Sequence, residues 1–117
     1  MLRLMIVDDE QIIREALSSM IDYTSLGYEV IATAKNGMEA YDRIRDDYPD
    51  VVITDIKMPI LNGLELIERA SRIDSRITFI LLSGYGEFEY AKQAMKYGVR
   101  YYLLKPTDKQ ELINCLL

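Results

Sequence analysis

The chain has 117 residues, half of them apolar, and a formal net charge of −5 at neutral pH. This length and apolar fraction suffice for one globular domain with a single core, whereas the acidic balance argues against a surface that grips nucleic-acid phosphates. Histidine is absent and Cys115 is the only cysteine, which excludes an internal disulfide and a Cys/His metal cluster and favours a reducing, cytoplasmic setting.

Strand and helix patterns alternate along the chain, each apolar run being short and often β-branched or aromatic. In chain order, strands are predicted at 2–7, 28–34, 51–54, 77–82 and 101–104, with helices between and after them at 12–21, 38–44, 64–70, 91–95 and 112–117. The first strand runs directly into Asp8, so it is too short for a signal peptide or a membrane span. No membrane association is expected.

Boundary signals agree with this order. Asn36, Asn62 and Thr107 each stand three residues before a Glu or Gln, which is the pattern of an N-cap with its reciprocal acceptor. Pro49 is predicted to separate the second helix from the next strand, and Gly98 to end the fourth helix.

Five strand–helix repeats with short connections predict one α/β domain over residues 1–117. Two strands, 2–7 and 77–82, are almost continuously apolar, as strands covered on both faces are. Right-handed crossovers then give a doubly wound, five-stranded parallel sheet with helices on both faces. The last residues are apolar and lack a C-cap glycine, so we expect a longer protein to continue beyond them.

Polar side chains stand at the ends of four predicted strands. Asp8 and Asp9 follow the first strand, Asp55 ends the third, Ser83 ends the fourth and Lys105 ends the fifth. In an open parallel sheet, ligands bind outside the carboxyl ends of the strands. These five side chains are therefore expected to converge on one edge of the sheet.

Three neighbouring carboxylates repel one another unless a cation joins them. An oxygen-only donor set selects a hard ion, and a few carboxylates with waters and a phosphate oxygen suit Mg²⁺. Lys105 and Ser83 could hold the oxygens of a transferring phosphoryl group. Asp55 would be the nucleophile, forming an acyl phosphate.

The sequence motifs around these residues are specific. Residues 4–10 (LMIVDDE), 55–59 (DIKMP) with Gly63, Ser83-Gly84, and 102–106 (YLLKP) resemble the acidic pair, phosphoacceptor loop, fourth-strand hydroxyl and closing motif of response regulator receiver domains. The resemblance spans residues 2–117. Segments 21–28 and 83–91 are similar to those of receivers attached to AraC-type DNA-binding domains.

The resemblance implies a flavodoxin-like strand order 2-1-3-4-5 and a function in two-component signalling. It implies Asp55 as the phosphoacceptor and Lys105 as a catalytic residue. It further implies that Asp8, Asp9, Asp55 and the backbone carbonyl of Lys57 bind Mg²⁺. No turnover is implied beyond self-phosphorylation and slow dephosphorylation.

Other implied features concern switching and partners. Ser83 and Tyr102 would form the switch, Lys57 and Tyr85 would tune hydrolysis of the acyl phosphate, and the peptide bond before Pro106 would be cis. A sensor histidine kinase would donate the phosphoryl group. A homodimer could form through the face from the fourth to the fifth helix, and DNA would be bound only by a C-terminal domain outside these residues.

Plainer interpretations exist for each residue by itself. Asp8 and Asp9 could cap a helix, Asp55 could be a turn residue, Lys105 a surface lysine, and Tyr102 a core aromatic. The joint position of the polar residues at strand ends is what favours a functional site.

Three other functions fit parts of the pattern. A magnesium-dependent phosphatase with an aspartate nucleophile, of the haloacid dehalogenase type, would carry Asp-x-Asp after the first strand, where this chain has Asp8-Asp9. A flavodoxin-like carrier of a flavin cofactor would need a phosphate-binding loop rich in Ser, Thr and Gly after the first strand. A degenerate receiver that only docks a partner would not need Asp55 and Lys105.

Overall fold

The computed structural model describes residues 1–84, 86, 88–97 and 99–117, except the side chain of Phe88. Strands and α-helices alternate through this part of the chain. The strands are β1 Leu2–Val7, β2 Tyr28–Ala34, β3 Val51–Asp55, β4 Thr78–Ser83 and β5 Val99–Leu104. The helices are α1 Gln11–Ser19, α2 Gly37–Asp47, α3 Gly63–Ile73, α4 Phe88–Ala94 and α5 Lys109–Leu116.

The strands form one sheet in the order β2-β1-β3-β4-β5, and every neighbouring pair is parallel. The predicted doubly wound fold and strand order are therefore confirmed. The chain changes direction across the sheet between β1 and β3, and such a reversal opens a crevice at the carboxyl ends of the strands. Asp8 and Asp55 lie at this point because they end or follow those two strands.

Two core layers result from the alternation of side chains along each strand. In β1, Leu4 and Ile6 belong to a cluster with α1 and α5, whereas Met5 and Val7 belong to a cluster with α2, α3 and α4. All four side chains are buried, and burial of each stabilises the fold by about 1.5–3 kcal/mol. Helices thus cover both faces of the sheet, as predicted.

The second and third helices begin as the sequence predicts. Asn36 accepts a hydrogen bond from the N–H of Glu39 at 2.8 Å. Asn62 and Glu65 form a reciprocal capping box, with hydrogen bonds of 2.8 and 3.1 Å. Helix α2 ends at Asp47, two residues before Pro49, which confirms the predicted break.

The predicted N-cap of the fifth helix was wrong. Asp108, not Thr107, caps α5, and its carboxylate accepts from the N–H of Gln110 at 3.4 Å. Thr107 and Asp108 are both good capping residues, and the helix uses the one directly before Lys109. The predicted stop at Gly98 lies outside the described residues.

Within the described ranges, no helix has both the length and the apolar character needed to cross a bilayer.

Candidate functional site

Three carboxylates meet at the carboxyl edge of the sheet. Asp8 and Asp9 stand in the turn after β1, and Asp55 is the last residue of β3. Each offers an oxygen, and these oxygens lie within 4.8 Å of one another. Asp8 and Asp55 are buried, whereas Asp9 is exposed. The structure thus brings together the three acidic residues that the sequence singled out.

Lys105, which follows β5, lies between two of these acids. Its Nζ is 3.0 Å from Oδ2 of Asp8 and 3.0 Å from Oδ2 of Asp55. Among the ion pairs of the described residues, only the Lys105 ammonium pairs with these acids, and a single positive charge leaves the charge of three ionised carboxylates only partly offset. A donor set of carboxylate oxygens with such a partly offset charge fits a hard divalent cation.

Backbone groups orient both buried carboxylates in the same way. Oδ1 of Asp8 accepts the N–H of Glu10 at 3.0 Å, and Oδ1 of Asp55 accepts the N–H of Ile56 at 2.9 Å. In each case the other oxygen points to Lys105. The two acids therefore present Oδ2 toward a shared cationic centre.

The electrostatics of Asp55 reflect its burial. Burial raises the pKa of Asp55 from 3.8 to about 6, helped by the charge of Asp8 and opposed by hydrogen bonding to Lys105. For Lys105, burial lowers the pKa, but hydrogen bonds to Asp55 and Asp8 outweigh it and the net pKa is raised. A further cation would favour the ionised form of Asp55.

An open cleft of about 320 Å³ adjoins Asp9, the exposed member of the three acids. Asp9, Lys57, Asn62 and Tyr90 line it, together with the start of the β3–α3 connection. Lys57 thus borders the same opening as Asp9, while Tyr85, the other predicted tuning residue, lies outside the described residues.

Ser83 and Tyr102 lie on the neighbouring strands β4 and β5. Ser83 is fully buried, and within the described chain its Oγ has no hydrogen-bond partner. Its carbonyl accepts the N–H of Lys105 at 2.7 Å. Tyr102 is half-buried and packs against the core on the α2–α4 side. The peptide bond between Lys105 and Pro106 is cis, as the resemblance implied.

Two residues near the site were missed by the sequence analysis. Thr54 is buried and donates to the carbonyl of Asp55 at 3.0 Å. Arg14 reaches from α1 to the carbonyl of Asp8 at 2.8 Å. A polar residue in an otherwise aliphatic strand could have identified Thr54, whereas no sequence signal identifies Arg14.

Comparison with known proteins identifies the family. A model described as the response regulator receiver domain matches residues 4–117. The chain is 50% identical over 116 residues to YesN of Bacillus subtilis strain 168, an uncharacterized transcriptional regulatory protein, covering 99% of this chain and 32% of YesN. It spans less than half the length of that relative and of the Staphylococcus aureus regulator HptR, of which 44% is covered.

Solved structures agree with this match. The receiver domain of AraT, a response regulator from Geobacillus stearothermophilus, has a TM-score of 0.93 at 39% identity, over 98% of this chain and 89% of that one. A two-component transcriptional regulator AraC from Clostridium phytofermentans has a TM-score of 0.92 at 34% identity, over 99% and 90%. These matches do not favour the phosphatase alternative. The chain belongs to the response regulator receiver domain family of two-component systems.

Proposed function

We propose that this receiver domain is a phosphorylation-dependent switch in which Asp55 accepts a phosphoryl group. The observation that carries this proposal is the pairing of Lys105 with Oδ2 of both Asp8 and Asp55 at 3.0 Å. A carboxylate oxygen of Asp55 attacks phosphorus, a new P–O bond forms, and the bond from phosphorus to the donor breaks. Lys105 then pairs with the added negative charge.

Asp8, Asp9, Asp55 and the backbone carbonyl of Lys57 would hold Mg²⁺. Support comes from the donor chemistry, because three carboxylates offer oxygens within 4.8 Å of one another and one lysine leaves their charge only partly offset. When bound, Mg²⁺ supplies positive charge to these carboxylates and to the phosphoryl oxygens.

Ser83 would donate a hydrogen bond to one oxygen of the new phosphoryl group. The buried hydroxyl has no partner among the described residues, which supports this role, since buried donors are ordinarily satisfied. Tyr102 would turn inward as Ser83 moves, and the two residues together form the proposed switch. Lys57 and Tyr85 would tune the rate at which water removes the phosphoryl group.

The phosphodonor would be a sensor histidine kinase in the cytoplasm. The domain itself would catalyse only its own phosphorylation and slow dephosphorylation. Phosphorylation would promote a homodimer through the face formed by α4, β5 and α5. Apolar side chains exposed on α4, on the 3-10 helix that follows it and on β5 support this face: Tyr90, Met95, Tyr97 and Leu104. Residues 1–117 would be the receiver of a transcriptional regulator whose separate C-terminal domain binds DNA.

Acetyl phosphate with Mg²⁺ tests the proposal directly. Intact-mass measurement should show one added phosphoryl group on the wild type and none on Asp55→Asn. Asp46→Asn provides a matched control, because Asp46 is an exposed carboxylate on α2 and should label like the wild type. Equal labelling of the wild type and Asp55→Asn would place the acceptor elsewhere.

A further inference from the structure

Thr54 is a buried polar residue to which the proposed chemistry gives no role. Among the described residues, the buried polar or charged side chains are Asp8, Thr54, Asp55 and Ser83, and the other three belong to the candidate site. In the sheet, Thr54 lies between Val7 of β1 and Leu81 of β4. Both neighbours are in the apolar cluster on the α2–α4 side, so a hydroxyl here has an apolar setting.

The Thr54 hydroxyl binds the peptide group of the proposed phosphoacceptor. Its Oγ1 donates to the carbonyl oxygen of Asp55 at 3.0 Å. The backbone of Gly63, at the start of α3, crowds the same carbonyl so closely that a Cβ at Gly63 would overlap it and would lie 2.9 Å from Cα of Ile56. The carbonyl is therefore held by the Thr54 hydroxyl and confined by the first residue of α3.

The same peptide group controls the carboxylate. Its N–H belongs to Ile56 and donates both to Oδ1 of Asp55 at 2.9 Å and to the carbonyl of Leu82 at 3.2 Å. Because a peptide group is planar, fixing the carbonyl side also fixes the direction of the N–H. With Oδ1 held by that N–H, Oδ2 is directed toward Lys105 at 3.0 Å.

We infer that Thr54 is a positioning residue for phosphoryl transfer, acting through the Asp55–Ile56 peptide group to orient the Asp55 carboxylate. The inference rests on the proposed role of Asp55 as phosphoacceptor. Phosphoryl transfer depends on the alignment of the attacking oxygen with phosphorus, and it slows when that oxygen is misplaced by about 0.5–1 Å. A hydroxyl that served only the fold would instead affect stability and leave the transfer rate unchanged.

Thr54→Val and Thr54→Ser form a matched pair for the test. Valine keeps the shape and removes the hydroxyl, whereas serine keeps the hydroxyl. With acetyl phosphate and saturating Mg²⁺, we expect Thr54→Val to label about tenfold more slowly than the wild type and Thr54→Ser to stay within about threefold. The thermal midpoint of Thr54→Val should fall by only a few degrees, because valine suits the apolar surroundings while the Asp55 carbonyl loses one donor.

Thermal stabilisation by Mg²⁺ gives a second measurement, which does not depend on phosphoryl transfer. Mg²⁺ should raise the thermal midpoint of the wild type and of Thr54→Ser, since a ligand that binds the native state stabilises it. The rise should be smaller for Thr54→Val, in which the Asp55 carboxylate is less well oriented. If Thr54→Val does not fold, Thr54→Ala, compared with Thr54→Ser, is judged by the same two measurements.

The labelling results test the positioning role of Thr54 separately from the phosphoacceptor role of Asp55. Labelling of Thr54→Val within about twofold of the wild type would overturn the positioning role alone, as would a Thr54→Ser variant as slow as Thr54→Val. Absence of labelling in the wild type, or equal labelling of Asp55→Asn, would overturn the proposed function itself and the positioning role with it.

Discussion

The buried environment of Asp55 disfavours the ionised form of its carboxyl group. The side chain is almost fully buried, and burial raises its pKa from 3.8 to about 6. A carboxyl whose folded pKa lies above its unfolded value contributes stability that is complete below about pH 4 and is lost as the pH rises through about 6. In the absence of a metal, the ionised Asp55 therefore destabilises the fold at neutral and alkaline pH.

Asp55→Asn should stabilise the protein in chelator at pH 8. We expect a gain of about 1–2 kcal/mol in the free energy of unfolding, less than the full pKa shift implies because Lys105 loses one partner. The gain should shrink as the pH falls from 8 toward 5, where Asp55 becomes protonated. Urea denaturation at several pH values measures it, with Asp46→Asn as control. A variant less stable than the wild type at pH 8 would contradict this account of Asp55.

Ile60 is held in an unfavourable backbone conformation. Its φ is 73°, and the N–H of Leu61 donates to the carbonyl of Pro59 at 2.8 Å, which together describe a strained γ-turn. A β-branched residue rarely adopts positive φ. The Ile60 side chain is 75% exposed, so its packing does not offset the backbone strain.

Replacement of Ile60 by asparagine should relieve that strain, because asparagine tolerates positive φ. We expect Ile60→Asn to raise the free energy of unfolding by about 0.5–1 kcal/mol. Ile12→Asn is the matched control, since Ile12 is 73% exposed but lies in helix α1, where asparagine brings no gain. Loss of stability in Ile60→Asn by urea denaturation would refute the strain argument.

Helices α2 and α3 begin with glycines that lie against the β3–α3 connection. A Cβ at Gly37 would overlap the carbonyl of Leu61, and a Cβ at Gly63 would overlap the carbonyl of Asp55. Neither position has a positive φ. Close backbone approach, not turn geometry, therefore requires glycine at both positions, and this approach fixes the loop that contains Lys57.

Gly63→Ala should destabilise the protein even though alanine is the better helix former. Helix propensity predicts a gain of about 1 kcal/mol, whereas the overlap with the Asp55 carbonyl predicts a loss of about 1–3 kcal/mol. Lys109→Ala changes an exposed residue at the equivalent first position of α5 and serves as control. A stabilised Gly63→Ala in urea denaturation would show that the contact relaxes freely.

Much of this architecture could be predicted from the sequence, for physical reasons that differ between elements. The strands were predicted to within about two residues because apolar runs report burial on both sheet faces. The acidic cluster followed from the strand-end rule. The N-cap of α5 was predicted wrongly, because Thr107 has the capping-box spacing to Gln110 whereas the neighbouring Asp108 is the stronger capping residue. The Thr54 hydroxyl bond depends on side-chain placement, which β propensity does not reveal.

At the scale of the whole molecule, strand β5 runs from the acidic site, where Lys105 follows it, along the proposed dimer face of α4, β5 and α5. Lys105 directly follows β5, and its N–H bonds to the carbonyl of Ser83 at the end of β4. Tyr102 lies on the same β5 strand. Since Lys105 pairs with Asp55 at 3.0 Å, we expect a change of charge at Asp55 to act on Lys105 first, and β5 with the 3-10 helix Met95–Tyr97 packed beside it to respond.

Met95→Asp should prevent dimerisation without affecting phosphorylation. Met95 is 59% exposed in the 3-10 helix Met95–Tyr97 that follows α4. A carboxylate there would be desolvated in an apolar interface. Light scattering with and without acetyl phosphate should show a dimer for the phosphorylated wild type and a monomer for the variant. Met38→Asp, on α2, is the control. Dimers of phosphorylated Met95→Asp would move the interface to another face.

Chemical trapping tests most directly which carboxylate receives the phosphoryl group. Protein treated with acetyl phosphate and Mg²⁺ is reduced with borohydride, which converts an aspartyl phosphate to homoserine, and is then mapped by peptide mass spectrometry. We predict homoserine at position 55 and unmodified aspartate at positions 8 and 9. Homoserine at either of those positions, with Asp55 unmodified, would contradict the assignment.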